Sequence, residues 1–235
     1  MVKEAIILAG GLGTRLREVI KDIPKPMAPI GGVPFLEILI SNLIFSGIRK
    51  LIISVGFRKE NIIKYFGNSY NGIPILYSKE NNPLGTGGAI LKAFEYVEES
   101  ESFVLNGDTF FNIPLYELFK FHKKKKAEIS IALRKNDFDN NRYGNVLLSE
   151  SGRIIGFEEK SVRKTFINGG IYLIKKSAVC NKKLPEKFSF EKDFLEKYID
   201  KIGVYGKVFD TFFVDIGIPE DYERAKREIG KYIKK

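Results

Sequence analysis

The chain has 235 residues, 44% of them apolar and 29% charged, with one cysteine, one histidine and a formal net charge of +10. That length can bury one sizeable core, and no apolar run approaches the ~18 residues of a spanning helix, so neither a helical membrane protein nor a disulfide framework built on the lone Cys180 is expected. No cleavable leader precedes the first strand, which makes the cytoplasm the expected location. The positive balance fits either a nucleic-acid partner or small polyanionic substrates. The only dense basic run, Lys123-Lys124-Lys125-Lys126, has no interleaved aromatics. It reads as the solvated end of an amphipathic helix, so no nucleic-acid partner is expected. His122, in the same stretch, reads as exposed and without a metal or acid–base role.

The first apolar run, 4–9, is of strand type and leads directly into Leu8-Ala9-Gly10-Gly11-Leu12-Gly13-Thr14-Arg15-Leu16, with Lys25-Pro26 following. Glycines at a strand end let the backbone turn tightly and bring N–H groups close to phosphate oxygens. Arg15 and Lys25 add full charges where the amides supply dipoles. The segment therefore reads as a grip for a triphosphate. It is not the dinucleotide fingerprint, because Leu16 stands where the third glycine belongs, and it is not a Walker loop, because no lysine followed by Ser or Thr closes it.

Helical periodicity near 34–47, 59–66, 87–98 and 114–124 alternates with strand-type runs at 50–55, 74–78 and 102–106. This βαβα order predicts an α/β fold: a single-domain, Rossmann-like, three-layer α/β/α architecture over 1–235 with a mostly parallel mixed sheet. The second half reads as a strand at 127–134, a hairpin of 145–148 with 153–159 across Ser151-Gly152, and a strand at 166–174. A helix near 190–200, a strand near 212–216 and a closing helix at 219–232 complete it. No internal repeat occurs, and no hexapeptide tail that would build an appended C-terminal β-helix. Ligands of parallel sheets sit beyond the carboxyl ends of the strands, where the glycine loop, Asn106-Gly107-Asp108 and Asp215 all fall. A helix starting at Gly87 or Gly88 aims its amide end at the same rim.

The segment from Leu8 to Pro26 closely resembles the signature of the sugar-1-phosphate nucleotidylyltransferases. The likeness resumes at Glu80, Pro83-Leu84-Gly85-Thr86-Gly87-Gly88-Ala89, Asn106-Gly107-Asp108, Phe157-Glu158-Glu159-Lys160, Asn168-Gly169-Gly170-Ile171-Tyr172 and Asp215-Ile216-Gly217. The blocks keep the family's order over nearly the whole chain. Within the family the chain most resembles the D-glycero-α-D-manno-heptose 1-phosphate guanylyltransferases, with the mannose-1-phosphate guanylyltransferases next. The resemblance implies that a nucleoside triphosphate, GTP, and a sugar 1-phosphate react to give a nucleotide-sugar, GDP-heptose, and pyrophosphate, with Mg²⁺ as cofactor. It also implies nucleotide-sugar supply for capsule or lipopolysaccharide heptose, and a homo-oligomer such as a dimer.

The nucleophile of that reaction is a phosphate oxygen with a second pKa of ~6, already mostly dianionic at neutral pH, so no general base is needed. Alignment and charge neutralisation are what remain for the protein to supply. The resemblance implies a nucleotide side made of Leu8, Ala9, Gly10, Gly11, Gly13, Thr14, Arg15 and Lys25, continued by Glu80, Gly85, Thr86, Gly107 and Asp108. Arg15, Lys25 and Asp108 are the catalytic candidates: Arg15 on the leaving phosphates, Lys25 on the α-phosphate. Asp108 and Asp215 are the implied Mg²⁺ ligands, two carboxylates being the number that ion commonly takes beside phosphate oxygens and water. Their alternatives are a turn residue after Asn-Gly and a cap for the helix at Pro219. On the sugar side stand Gly144, Asn168, Lys160 for the phosphate and Glu159 for the hydroxyls; Ser161 replaces the family's usual proline. Glu80 matches guanine, whose N1–H and N2 amino donors suit a carboxylate, whereas uracil and thymine offer one ring N–H between carbonyls. The alternative for Glu80 is a solvent-facing acid at a strand end.

Other readings stay open within and beyond the family. A mannose-1-phosphate guanylyltransferase or a UTP- or CTP-using relative would carry the same blocks. A glycosyltransferase of related architecture would show D-x-D, and Asp108-Thr109-Phe110 lacks its second acid. A catalytically inactive nucleotide-sugar-binding module would be expected to have lost some of Arg15, Lys25, Asp108 and Asp215, all of which are present.

Overall fold

The computed structural model describes residues 1–11, 13, 16, 20, 23–136, 144–158 and 166–233. The strands are β1 (Glu4–Leu8), a short hairpin of β2 (Pro29–Ile30) and β3 (Val33–Pro34), β4 (Lys50–Val55), β5 (Ser69–Tyr70), β6 (Ile73–Lys79) and β7 (Glu101–Asn106). They continue as β8 (Thr109–Phe111), β9 (Ile129–Lys135), β10 (Asn145–Leu148), β11 (Ile154–Glu158), β12 (Phe166–Lys175), β13 (Val204–Val208) and β14 (Phe213–Asp215). The helices are α1 (Phe35–Phe45), α2 (Lys59–Phe66), α3 (Gly85–Ala93), α4 (Leu115–Lys125), α5 (Lys176–Cys180), α6 (Glu196–Tyr198) and α7 (Pro219–Glu228).

Every element expected in the first half is present, with boundaries that shift by a few residues: α3 starts at Gly85, ahead of the Gly87 or Gly88 that the sequence predicts, and ends at Ala93, where a 3₁₀ turn, Phe94–Tyr96, follows. The helix expected near 190–200 is instead a π-helical turn, Phe190–Leu195, running into the single turn of α6. β8, β13 and α5 have no counterpart in the sequence-based expectation. They are short, and β13 carries a glycine in its middle, which weakens the alternating signal.

β1 lies between β4 and β7, parallel to both, and β6 extends the sheet in parallel beyond β4. Beyond β7 the sense changes: β12 runs antiparallel to β7 and β9, and its first residues pair with β10 of the expected β10–β11 hairpin. β13 completes that side in parallel with β9. Side chains alternate through the parallel strands as the pleat requires. Ala5, Ile7, Leu51, Ile53, Phe103 and Leu105 pack with α1, α2 and α4 on one face. Ile6, Ile52 and Val104 pack with α3 and the 190–195 turn on the other. Near-continuous apolar strands are what burial on both faces demands.

The late strand departs from expectation in its place. β14 does not join the sheet; it pairs antiparallel with β8 in a separate ribbon, Asp215 opposite Thr109. Phe110 and Val214 of the ribbon pack against Phe35 and Leu39 of α1 and Tyr222 of α7 in a third apolar cluster. Among the described residues no helix is long and apolar enough to cross a membrane.

His122 is not exposed, contrary to the sequence reading. Helical spacing puts it on the inward face of α4 with Leu115 and Leu118, and it is 1% exposed. Its Nδ1 lies 2.8 Å from Ser130 Oγ and its Nε2 3.9 Å from Glu101 Oε1. The basic run is not wholly solvated either, because Lys123 Nζ donates to both Glu101 oxygens at 2.6 and 2.7 Å. Burial outweighs the pull of Glu101 and, with Lys123 and Lys175 nearby, pushes the imidazole pKa from 6.5 down to about 4. Between those two values the unfolded chain binds the proton that the folded one rejects. Stability contributed by His122 is therefore lost as pH falls through that window and levels off below it. The urea midpoint should drop between pH 7 and about pH 4.5, and His122→Asn should flatten that part of the profile. An unchanged slope in the variant would assign the acid sensitivity to other groups.

Candidate active site

The rim beyond the carboxyl ends of β1 and β7 holds two adjoining clefts, of about 180 and 290 Å³, that share Leu8, Gly11 and Asp108. Together they have the size of a small-molecule site. The first is completed by Ala9, Gly13, Lys25, Pro26 and Gly217. The second is walled by Gly10, Glu80, Pro83, Gly85, Thr86 and Asn106, among others. Thr14 and Arg15 of the expected nucleotide side, and Glu159 and Lys160 of the expected sugar side, lie outside the described residues.

The loop after β1 is drawn tight against its neighbours. Ala9 N donates to Ser54 O at 2.8 Å, and Gly107 N donates to Leu8 O at 2.9 Å. A Cβ on Gly10 would lie 2.3 Å from Glu80 Oε1, so only glycine lets this carboxylate come against the loop backbone. Glu80 is buried, not the solvent-facing acid of the alternative reading. Its Oε1 accepts from Ser54 Oγ at 3.0 Å and its Oε2 from the Leu84 amide at 3.1 Å. Each carboxylate oxygen keeps a second lone pair for a further donor.

Lys25 stands in a 3₁₀ turn, Lys25–Met27, and reaches across the first cleft. Its Nζ is 2.6 Å from Asp108 Oδ2 and 3.4 Å from Asp215 Oδ1, with the lysine side chain only 10% exposed. The ribbon explains how two aspartates so far apart in sequence meet: Asp215 pairs with Thr109, and Ile216 N donates to Asp108 O at 3.0 Å. Asp215 does not cap α7, whose N-cap is Ile218; its Oδ1 accepts from Gly217 N at 2.8 Å within the turn. The two carboxylates converge on a single cationic atom, so a hard divalent cation could be held by both. Among the described residues no group of three or more His, Cys, Asp or Glu side chains gathers to make an all-protein cage. Asp108, which lines both clefts, and Asp215 beside it fit Mg²⁺, which commonly takes two carboxylates and its remaining ligands from phosphate and water.

Of the expected sugar-side residues, Gly144 and Asn168 are described; they lie near each other across the β10–β12 pairing, and neither lines the two clefts. Asn168 is followed by a register break in the β12–β9 pairing at Gly169-Gly170, a bulge that re-aims the strand. Asn168 Oδ1 accepts from Gly170 N at 3.0 Å. Gly144 directly precedes β10, whose Asn145 pairs with Ile167 next to Asn168. Asn106 and Gly217 line the clefts although the sequence reading assigned them no role. Each sits inside a block already singled out, so position within the block was the available signal.

The nucleotidyl transferase family model matches residues 4–231. The chain is 47% identical over 232 residues, 98% of this chain and 100% of the relative, to the D-glycero-alpha-D-manno-heptose 1-phosphate guanylyltransferase of Aneurinibacillus thermoaerophilus. It is 49% identical over 221 residues, 93% of this chain and 96% of the relative, to the enzyme of the same name from Campylobacter jejuni subsp. jejuni serotype O:2. Among solved structures, HddC from Yersinia pseudotuberculosis complexed with GMP-PN superposes with a TM-score of 0.86 at 36% identity, covering 97% of this chain and 100% of that one. A match from the first strand to the closing helix, with relatives nearly half identical over almost their whole length, settles descent: the chain belongs to the nucleotidyl transferase family.

Proposed function

We propose that the chain transfers the guanylyl group of GTP to D-glycero-α-D-manno-heptose 1-phosphate, forming GDP-D-glycero-α-D-manno-heptose and releasing pyrophosphate. The observation that carries this reading is the meeting of Lys25, Asp108 and Asp215 at a cleft continuous with one walled by Glu80. A phosphate chain fits the first cleft, under the loop amides of Gly11 and Gly13, and a nucleoside fits the second. Lys25 holds the α-phosphate while Arg15 takes the leaving phosphates, so charge is neutralised where it builds up in the transition state. Asp108 and Asp215 would hold Mg²⁺, which when bound would add to the neutralisation of the phosphate charge. Lys160, Glu159, Gly144 and Asn168 receive the sugar 1-phosphate, whose dianion attacks without a general base.

The choice of guanine rests on Glu80, supported by the GMP-PN complex of the HddC structure, and the choice of heptose on the names of the two relatives. The lone pairs left on Glu80 suit the N1–H and N2 donors of guanine. Initial rates with four triphosphates and a panel of sugar 1-phosphates test both choices. GTP with the heptose 1-phosphate should lead, ahead of mannose 1-phosphate and well ahead of glucose 1-phosphate. Glu80→Gln should narrow the preference for GTP by roughly tenfold to a hundredfold, the worth of a bidentate base contact of ~1–3 kcal/mol. Comparable use of UTP or CTP by the unmodified protein would remove Glu80 from base reading, and a panel led by glucose 1-phosphate would overturn the acceptor.

A further inference from the structure

Four side chains drawn from three segments of the chain form one hydrogen-bonded line. Thr86, in the first turn of α3, donates from Oγ1 to Glu191 Oε2 at 2.9 Å, and its oxygen accepts the Phe190 amide at 2.8 Å. Glu191 Oε1 accepts the Tyr172 hydroxyl at 2.7 Å. That hydroxyl oxygen in turn accepts from Asn168 Nδ2 at 2.7 Å, and the other end of the Asn168 amide is held by Gly170 N. Ser189 Oγ adds a longer contact, 3.4 Å, to Glu191 Oε2.

The line is anchored where it cannot be loosened without loss. Tyr172 is 1% exposed and packs edge-to-face on Phe190 at 5.4 Å, so its hydroxyl has no water to fall back on. Burial, reinforced by the Glu191 carboxylate, raises the phenol pKa well above its ordinary value and keeps the group a proton donor. Glu191 lies in the π-helical turn, an irregularity that recurs at functional sites and here aims one carboxylate at both Thr86 and Tyr172. Thr86 lines the second cleft, and Asn168 is the residue assigned above to the sugar 1-phosphate, so the line joins the nucleoside wall to that residue.

We propose that Glu191 and Tyr172 are positioning residues that hold Asn168 in place for the sugar 1-phosphate and tie it to the nucleoside wall through Thr86. The proposal rests on the assignment of Asn168 to the sugar flank made above. Both residues act through Asn168, so removing the Tyr172 hydroxyl leaves the asparagine amide without its acceptor while Lys25, Asp108 and Asp215 are untouched.

Steady-state kinetics of the full chain with GTP and D-glycero-α-D-manno-heptose 1-phosphate test this. Tyr172→Phe should raise KM for the sugar 1-phosphate about tenfold, the loss of one charge-coupled hydrogen bond, while leaving KM for GTP within about twofold. Thr86→Val should also raise the sugar 1-phosphate KM severalfold, although Thr86 lies on the nucleoside side, and Thr86→Ser, which keeps the hydroxyl, should restore it. Both KM values rising together in step with a lowered Tm would mean a merely structural role and overturn the proposal. Asn168→Ala, run in parallel, separates the two ways of failing. If it raises the sugar KM and Tyr172→Phe does not, the relay is wrong and the sugar flank stands; if Asn168→Ala changes nothing, the sugar-flank assignment falls and the relay with it.

Discussion

Asp108→Asn and Asp215→Asn should each abolish turnover, by about three orders of magnitude or more, while the protein stays folded. Both substitutions are close to isosteric, and at position 108 the contact given up is the one between Oδ2 and Lys25 Nζ. The amide oxygen of the new side chain could still accept from Thr109 Oγ1 at the first position and from Gly217 N at the second, the partners of Oδ1 in the present structure. What is lost is one negative charge from a pair that converges on Lys25 Nζ at 2.6 and 3.4 Å. Under the proposed reaction that charge holds the cation facing the phosphates, and several kcal/mol of transition-state stabilisation go with it, each ~1.36 kcal/mol being tenfold in rate. Pyrophosphate release at saturating Mg²⁺ is the measurement, with a thermal melt beside it. Turnover near that of the unmodified protein would exclude the carboxylate from the metal role. Loss of turnover together with collapse of the melt would assign the effect to the Lys25 ion pairs.

Gly88→Ala should lower Tm by roughly 2–12 °C, the opposite of what the substitution does in an ordinary helix. Alanine is normally favoured over glycine inside a helix by ~1 kcal/mol. Gly88 lies within α3, so local propensity alone predicts a gain. A Cβ there would fall 2.2 Å from the Glu186 carbonyl oxygen and 2.9 Å from Leu84 Cβ, and the first of these is backbone that cannot swing aside. Overpacking of that kind costs about 1–3 kcal/mol, and at this chain length each kcal/mol moves Tm by ~2–4 °C. A melt at or above that of the unmodified protein would show that the 186–188 segment yields easily. The same close approach explains the run Gly85-Thr86-Gly87-Gly88: Gly87 N donates to Phe188 O at 2.9 Å and Phe188 N to Leu84 O at 3.0 Å. These glycines make room for the crossing 186–188 segment.

The parallel half of the sheet and its helices were legible from the sequence because their signals are local. Strand runs buried on both faces alternate with amphipathic helices, and one strand's worth of residues is enough to read each. The glycine loop and Asp108 stood out for the same reason, since each follows a strand whose position was already clear, whereas Lys25 stands in a 3₁₀ turn that no strand signal announces. Asp215 was read as a partner of Asp108 through a family likeness, but the sequence did not contain the antiparallel ribbon that sets Asp215 beside Thr109. Two three-residue strands carry too little pattern to announce their pairing. His122 could have been placed inside, four residues after Leu118 and seven after Leu115, but the lysines that follow it masked that spacing.

Composition and pattern determined that this chain is an α/β protein with a glycine-rich loop after its first strand, because periodicity and turn chemistry act over a few residues at a time. Only the tertiary structure decided which distant groups share a hydrogen bond or an ion pair. Glu80 is enclosed by Ser54 and the Leu84 amide, Lys25 lies between two aspartates, and Glu191 bridges Thr86 and Tyr172. Buried polar atoms must find partners, and for these residues most of the partners come from other segments of the chain, so their roles become visible only once the segments are packed together.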